Sequence, residues 1–167
     1  MNVTSKLLIL VAALGLAACK NPNRFGAGAN GAGGIGAGAG DASDPRSAAY
    51  FNQSIGDRVL FLVDQSTLSD AGRQILVGQA GWLNANPSYG VIIEGHADEQ
   101  GTREYNLSLG AKRAAAVQDF LISQGVTAAR LRTITYGKER PLEVCSDEAC
   151  YSKNRRAVTV LQLGGGV

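Results

Sequence analysis

Hydrophobic positions fall into short continuous runs and longer stretches of helical spacing, and these alternate along the chain. VLFLV, Val59 to Val63, is a β-branched, aliphatic and aromatic run bounded by polar residues, which predicts a buried strand. SDAGRQILVGQAGWLNANP then predicts a helix, with Ser69 suited to cap its start and Pro87 to end it. YGVIIEG, Tyr89 to Gly95, reads as a second strand, and Asn106 to Gln124 as a second long helix stopped by Gly125. LRTITYG gives a third strand from Leu131, and RAVTVLQL a last one from Arg156 to Leu163. The order β-α-β-α-β-β predicts an α/β fold built as an α+β sandwich. Two main helices pack on one face of a small mixed sheet, because strand-helix-strand crossovers are right-handed and favour parallel neighbours.

Before this domain, expected over residues 50–167, the pattern changes twice. MNVTSKLLILVAALGLAAC carries a basic Lys6, an apolar run from Leu7 to Leu14, then small residues ending at Cys19. The run is shorter than the ~20 apolar residues a bilayer crossing needs, so residues 1–18 read as an export signal. From Gly26 to Gly40, GAGANGAGGIGAGAG has no side chains to build a core and no collagen period, and reads as a flexible tether within residues 19–49. Roughly thirty residues of such chain span on the order of 30 Å as a coil.

The length of 167 residues allows one domain with a real core. A net charge of +2 with scattered basic residues lacks the electrostatic footprint of a nucleic-acid binder. Only Lys153, Arg155 and Arg156 cluster, a run read as a strand edge or solvated face. Cys145 and Cys150 form an even pair in an exported chain, which favours a local disulfide. A metal site needs more ligands than two thiols and one distant histidine supply.

One charge contradicts the pattern around it. At about 100° per residue from Leu109, Phe120, Arg113, Val117 and Leu121 fall within an arc of roughly 120°, so Arg113 lies on the apolar side of its helix. Lys112, Ser108 and Asp119 share the polar side, so a solvated position was available one residue away. Removing a guanidinium from water is costly unless it is paired or ligand-bound; an internal salt bridge or snorkelling is the plainer account. Asp98 follows the second strand and Asp64 the first, and ligands of α/β sheets collect beyond the carboxyl ends of strands. Two acids and an arginine there suit a zwitterion, the guanidinium fork taking a carboxylate and an aspartate taking an ammonium.

EGHADEQGTREYNLSLGAKRAAAV, followed by TYGKERP and YSKNRRAV, resembles the OmpA-like peptidoglycan-binding family, and within it the lipoproteins of the Tol-Pal system. The likeness spans about Val59 to Leu161. The sequence Leu16, Ala17, Ala18, Cys19 likewise resembles the lipobox of bacterial lipoproteins, which implies a lipidated Cys19 and, with Lys20 rather than an aspartate after it, an outer-membrane anchor with the domain facing the periplasm. The family's ligand is the diaminopimelate of the peptidoglycan stem peptide, itself zwitterionic. The resemblance places its clamp aspartate, from the G-H-x-D segment, at Asp98 and its arginine, from N-x-x-L-S-x-x-R-A, at Arg113. Leu109 matches the apolar residue one turn earlier, and Val63 and Asp64 match the end of the first-strand motif. That motif departs here: the family often has Phe-Asp-x-Asp, whereas this chain reads Phe61, Leu62, Val63, Asp64. The resemblance further implies docking on a TolB-like periplasmic propeller protein through a surface overlapping the wall site.

Catalysis is the competing class. His96, Asp98 and Glu99 resemble parts of a hydrolase, but no second histidine completes a zinc site and no cysteine stands nearby as a nucleophile. Ser108 falls on the far side of its helix from Arg113. His96 is read instead as a strand-end hydrogen bonder shaping the Asp98 loop. The expectation is a non-enzymatic clamp without a cofactor, with a pure protein-docking module as the alternative.

Overall fold

The computed structural model describes residues 40–144 and 146–164; the expected export signal, Cys19, most of the expected tether and Cys145 lie outside them. A short helix α1 (Ala48–Tyr50) runs into a π-helical turn (Phe51–Gly56) and then β1 (Arg58–Leu60). Helix α2 (Asp70–Ala85), β2 (Tyr89–His96), α3 (Arg103–Ser123), β3 (Leu131–Gly137), α4 (Glu148–Asn154) and β4 (Arg156–Leu163) follow. The sheet order is β1-β4-β2-β3. β4 is antiparallel to β1 and to β2, while β2 and β3 are parallel neighbours joined across α3. Val59, Val91, Ile93, Leu131 and Ala157 point from the four strands into one core with Leu76, Ala80 and Leu83 of α2 and Ala114, Val117 and Leu121 of α3. The expected two helices on one face of a mixed sheet are therefore present.

The first strand, the second long helix and the segment around Cys150 differ from the sequence reading. The first strand ends at Leu60 and not at Val63: the Phe61 N–H still reaches the Arg155 carbonyl at 2.9 Å, but the chain then turns, with the Gln65 N–H on the Leu62 carbonyl. Leu62 and Val63 are left 64% and 53% exposed, so the apolar run is only half core. The second long helix begins at Arg103, because Thr102 caps it by accepting the Tyr105 N–H. Helix α4, capped by Asp147, was hidden inside what reads as a disulfide loop; Cys150 on it is disulfide-bonded and buried.

Packing also starts before Tyr50. The Trp82 indole donates to the Pro45 carbonyl at 2.6 Å, and Phe51, wholly buried, tilts against Trp82, which tilts in turn against Tyr89. The run Lys153, Arg155, Arg156 is not a solvated face, since Arg155 and Arg156 are 3% and 7% exposed. Arg156 donates to the carbonyls of Asn154 and Arg140, and Arg155 is held by carboxylates and a carbonyl as described below.

Helix α3 lies unusually close to β2. A Cβ on Gly95 would sit 1.9 Å from the Gly110 carbonyl oxygen, and one on Gly110 would sit 2.4 Å from the Thr135 hydroxyl. This contact sets the depth at which the helix delivers Arg113, one turn further on. Beyond Gly95, His96 is 2% exposed and neither ring nitrogen has a hydrogen-bond partner. The expected strand-end hydrogen bond is made by the main-chain carbonyl, which accepts from Arg113 Nη1, and not by the ring, which packs against Tyr136, centroids 5.5 Å apart. Burial, reinforced by Arg156 and Arg140, pulls the His96 pKa down to about 3, so the ring is neutral and its 3.6 Å approach to Glu94 is no ion pair.

Two outcomes follow from this packing. Gly95→Ala is expected to lower unfolding free energy by ~3 kcal/mol or more, whereas Gly81→Ala, with nothing within 4 Å of its Cβ on the exposed side of α2, is expected to stabilise by about 0.5–1 kcal/mol in urea titrations. Between pH 6.5 and about 3 the unfolded chain binds a proton at His96 that the folded chain refuses. Stability from this group is complete above pH 6.5 and is lost as pH falls, by at most ~1.4 kcal/mol per pH unit. His96→Phe removes that component, so the variant gains on the wild type between pH 7 and pH 4; a constant difference would contradict it.

Candidate functional site

At the carboxyl end of β2 the chain enters a loop, Ala97 to Gly101, that is tied by two neighbouring side chains. The buried Asn106 side chain donates to the Gln100 carbonyl at 2.7 Å, and Lys138 donates to the Gly101 carbonyl at 2.7 Å. Within the loop, Asp98 Oδ1 accepts the Gln100 N–H at 3.2 Å. On the other side of the opening stands the turn after β1, where Asp64 adopts φ 59°, the one non-glycine residue with positive φ among the described residues. Aspartate tolerates that conformation better than most residues, and such backbone is found disproportionately at functional sites. The Tyr105 hydroxyl, from the first turn of α3, donates to the Asp64 carboxylate across the mouth.

A cavity of about 260 Å³ lies between these segments, lined by Val63, Asp64, Asp98, Gln100, Gly101, Tyr105, Asn106, Leu109 and Arg113. The five residues singled out from the sequence, Asp98, Arg113, Asp64, Val63 and Leu109, therefore stand around one space. Val63 is half exposed and Leu109 nearly buried, giving the cavity an apolar rim on one side and an apolar wall on the other.

Arg113 forms the floor and is 0% exposed. Its Nη1 donates to the His96 carbonyl at 2.8 Å, its Nε to Gln65 at 2.8 Å and its Nη2 to Leu62 at 3.1 Å. The guanidinium carbon also lies 5.2 Å from the Phe61 ring centroid. Three of the five N–H donors of a guanidinium are thus spent on main chain from β2 and the post-β1 turn, which leaves two. Burial lowers its pKa to about 10, with Asp98 and Asp64 working the other way, so it remains a cation at neutral pH.

Asp98, 8% exposed, is paired not with Arg113 but with Arg155, whose Nη1 lies 3.0 Å from its Oδ2. Arg155 also donates Nε to the Phe61 carbonyl at 3.2 Å and bonds both oxygens of Glu148, from the opposite end of α4. Burial works against the Arg155 charge, but Glu148 and Asp98 outweigh it and raise its pKa. Sequence reasoning missed Arg155, Tyr105 and Asn106. The adjacent pair Arg155-Arg156 immediately before an apolar strand was the available signal for Arg155.

Chemically, the cavity offers one cation and two carboxylates around an apolar wall. Among the described residues no group of three or more histidine, cysteine, aspartate or glutamate side chains is placed to hold a metal ion, and no helix is long and apolar enough to cross a membrane.

Comparison with known proteins agrees with this architecture. The OmpA family model matches residues 60–155. The peptidoglycan-associated lipoprotein of Mesorhizobium japonicum is 50% identical over 163 residues, covering 95% of this chain and 92% of that protein. Its counterpart from Agrobacterium fabrum is 49% identical over 155 residues, covering 93% and 86%. The crystal structure of the peptidoglycan-associated lipoprotein from Burkholderia pseudomallei superposes with a TM-score of 0.64 at 37% identity, covering 72% of this chain and 98% of that one. A family model across the strands and helices that build the cavity, and half-identical relatives over nearly the full length, establish that the chain belongs to the OmpA family, among the peptidoglycan-associated lipoproteins.

Proposed function

We propose that the cavity is a clamp for the zwitterionic end of a diaminopimelate side chain in the peptidoglycan stem peptide, and that the chain ties the outer membrane to the cell wall. Family membership makes the chain a binding protein and not an enzyme. The observation that carries the reading is the presence of two opposite charges that are not paired with each other, Arg113 and Asp98, facing one cavity with Asp64 at its mouth. A carboxylate takes the two remaining Arg113 donors, the adjoining ammonium takes free lone pairs of Asp98 and Asp64, and the methylene stem lies on Leu109 and Val63. Charge-assisted bonds contribute ~1.5–3 kcal/mol each, so a few of them give micromolar affinity after the cost of association.

In this reading residues 1–18 are removed on export, Cys19 carries the lipid, residues 19–49 form the leash and residues 50–167, with the packed segment just before them, form the wall-binding domain. Anchor, leash and reversible clamp together need no chemistry, since confinement raises the local concentration of wall ligand. The same surface serves a TolB-like propeller partner of the Tol-Pal system, so that the domain alternates between wall and partner as the envelope constricts at division.

Calorimetric titration of the full chain in detergent tests the clamp with a diaminopimelate stem peptide and its lysine counterpart, which lacks the second carboxylate. The diaminopimelate peptide is expected to bind at least about tenfold more tightly, and Asp98→Asn to lose about tenfold or more. Arg113→Ala is expected to cost about 3–5 kcal/mol of stability as well, because it leaves buried carbonyls unpaired, so Asp98→Asn is the cleaner variant. Peptide-saturated chain is expected to lose affinity for the propeller partner. Equal affinity for the two peptides would make Arg113 a structural residue and favour the docking module.

A further inference from the structure

The two opposite charges that face the cavity do not neutralise each other, and the reason lies outside the cavity wall. Arg113 makes no ion pair within 4.0 Å among the described residues, because its donors are drawn to the carbonyls of His96, Gln65 and Leu62. Asp98 is drawn the other way. Its Oδ2 is held at 3.0 Å by Arg155, a side chain only 4% exposed that does not itself line the cavity. Without that cation, a nearly buried carboxylate is left facing, across the cavity that both line, the Arg113 guanidinium whose charge it already feels.

We infer that Arg155 is a positioning residue that holds Asp98 off Arg113 and so keeps the clamp open, an inference that rests on the reading of the cavity as a zwitterion site. Its own placement is over-determined. It follows the last residue of α4, its main-chain carbonyl accepts the Phe61 N–H at 2.9 Å, and its Nε returns to the Phe61 carbonyl at 3.2 Å. Glu148, the first residue of α4 and largely exposed, takes the rest of the fork. The Asn154 side chain straps α4 to the backbone of Leu142 and Glu143, so the brace behind Asp98 is fixed on both flanks. An arginine suits this post because one planar fork reaches a carbonyl and two carboxylates at once.

The test is a double-mutant cycle in the full chain, with Arg155→Gln and Asp98→Asn made singly and together and titrated with the diaminopimelate stem peptide. Arg155→Gln is expected to weaken binding about tenfold or more in the wild-type background and by less than about twofold when Asp98 is already asparagine. Equal losses in both backgrounds would show that Arg155 acts on the fold and not through Asp98, and would overturn the inference. Arg155→Lys, which keeps a cation but not the fork, is expected to fall between wild type and Arg155→Gln and serves if the latter does not fold. If no variant binds the peptide, the ligand reading fails and the Gln100 amide decides, since that N–H is bonded to Asp98 Oδ1. Its NMR resonance is expected to move in Arg155→Gln as it does in Asp98→Asn; an unmoved resonance would overturn the positioning role on its own.

Discussion

A buried guanidinium is the constraint around which this domain is arranged. Arg113 has no exposed surface, and its charge is balanced by three main-chain carbonyls and two nearby carboxylates with which it forms no ion pair. Spending donors on carbonyls of β2 and of the turn after β1 fixes both segments relative to α3. The shortened first strand follows from the same bonds, since Leu62 and Gln65 leave the sheet to present their carbonyls to the cation. Helix α3 reaches that depth only because Gly95 and Gly110 let backbone meet backbone.

Holding opposite charges apart in one cavity is energetically unfavourable for the empty domain and favourable for a zwitterion that bridges them. The main-chain carbonyls anchor one jaw, and Arg155 with the Gln100 amide anchors the other. Under the proposed clamp, little side-chain ordering then remains to be done on binding, which favours affinity from few contacts. The Asp64–Tyr105 bridge closes the mouth from the turn side and places a second carboxylate beside the opening.

Much of the fold was legible because each element carries its own period and its own stop signals. The last two strands match their sequence limits residue for residue, as β-branched runs bounded by glycine, proline or arginine allow. The position of Arg113 on the apolar arc of its helix was equally plain, because helical spacing alone puts it there. What the sequence did not reveal were long-range partners. Nothing local distinguishes Leu62 and Val63 from core strand residues until a cation forty-eight to fifty-one residues later claims the neighbouring carbonyls. Arg155 looked like part of a solvated basic run because its three partners lie on other elements or at the far end of its own helix. His96 looked polar and proved to be buried with neither ring nitrogen hydrogen-bonded, which no pattern of neighbours announces.

The measurement that bears most directly on this account is the structure of the domain bound to a diaminopimelate stem peptide, by crystallography or intermolecular NMR contacts. The account predicts the side-chain carboxylate on Arg113 and the ammonium on Asp98, with the three Arg113 bonds to main chain and the Asp98–Arg155 pair unchanged from the free chain. A peptide seated elsewhere, or one that binds only after Arg113 lets go of the His96, Gln65 and Leu62 carbonyls, would contradict it.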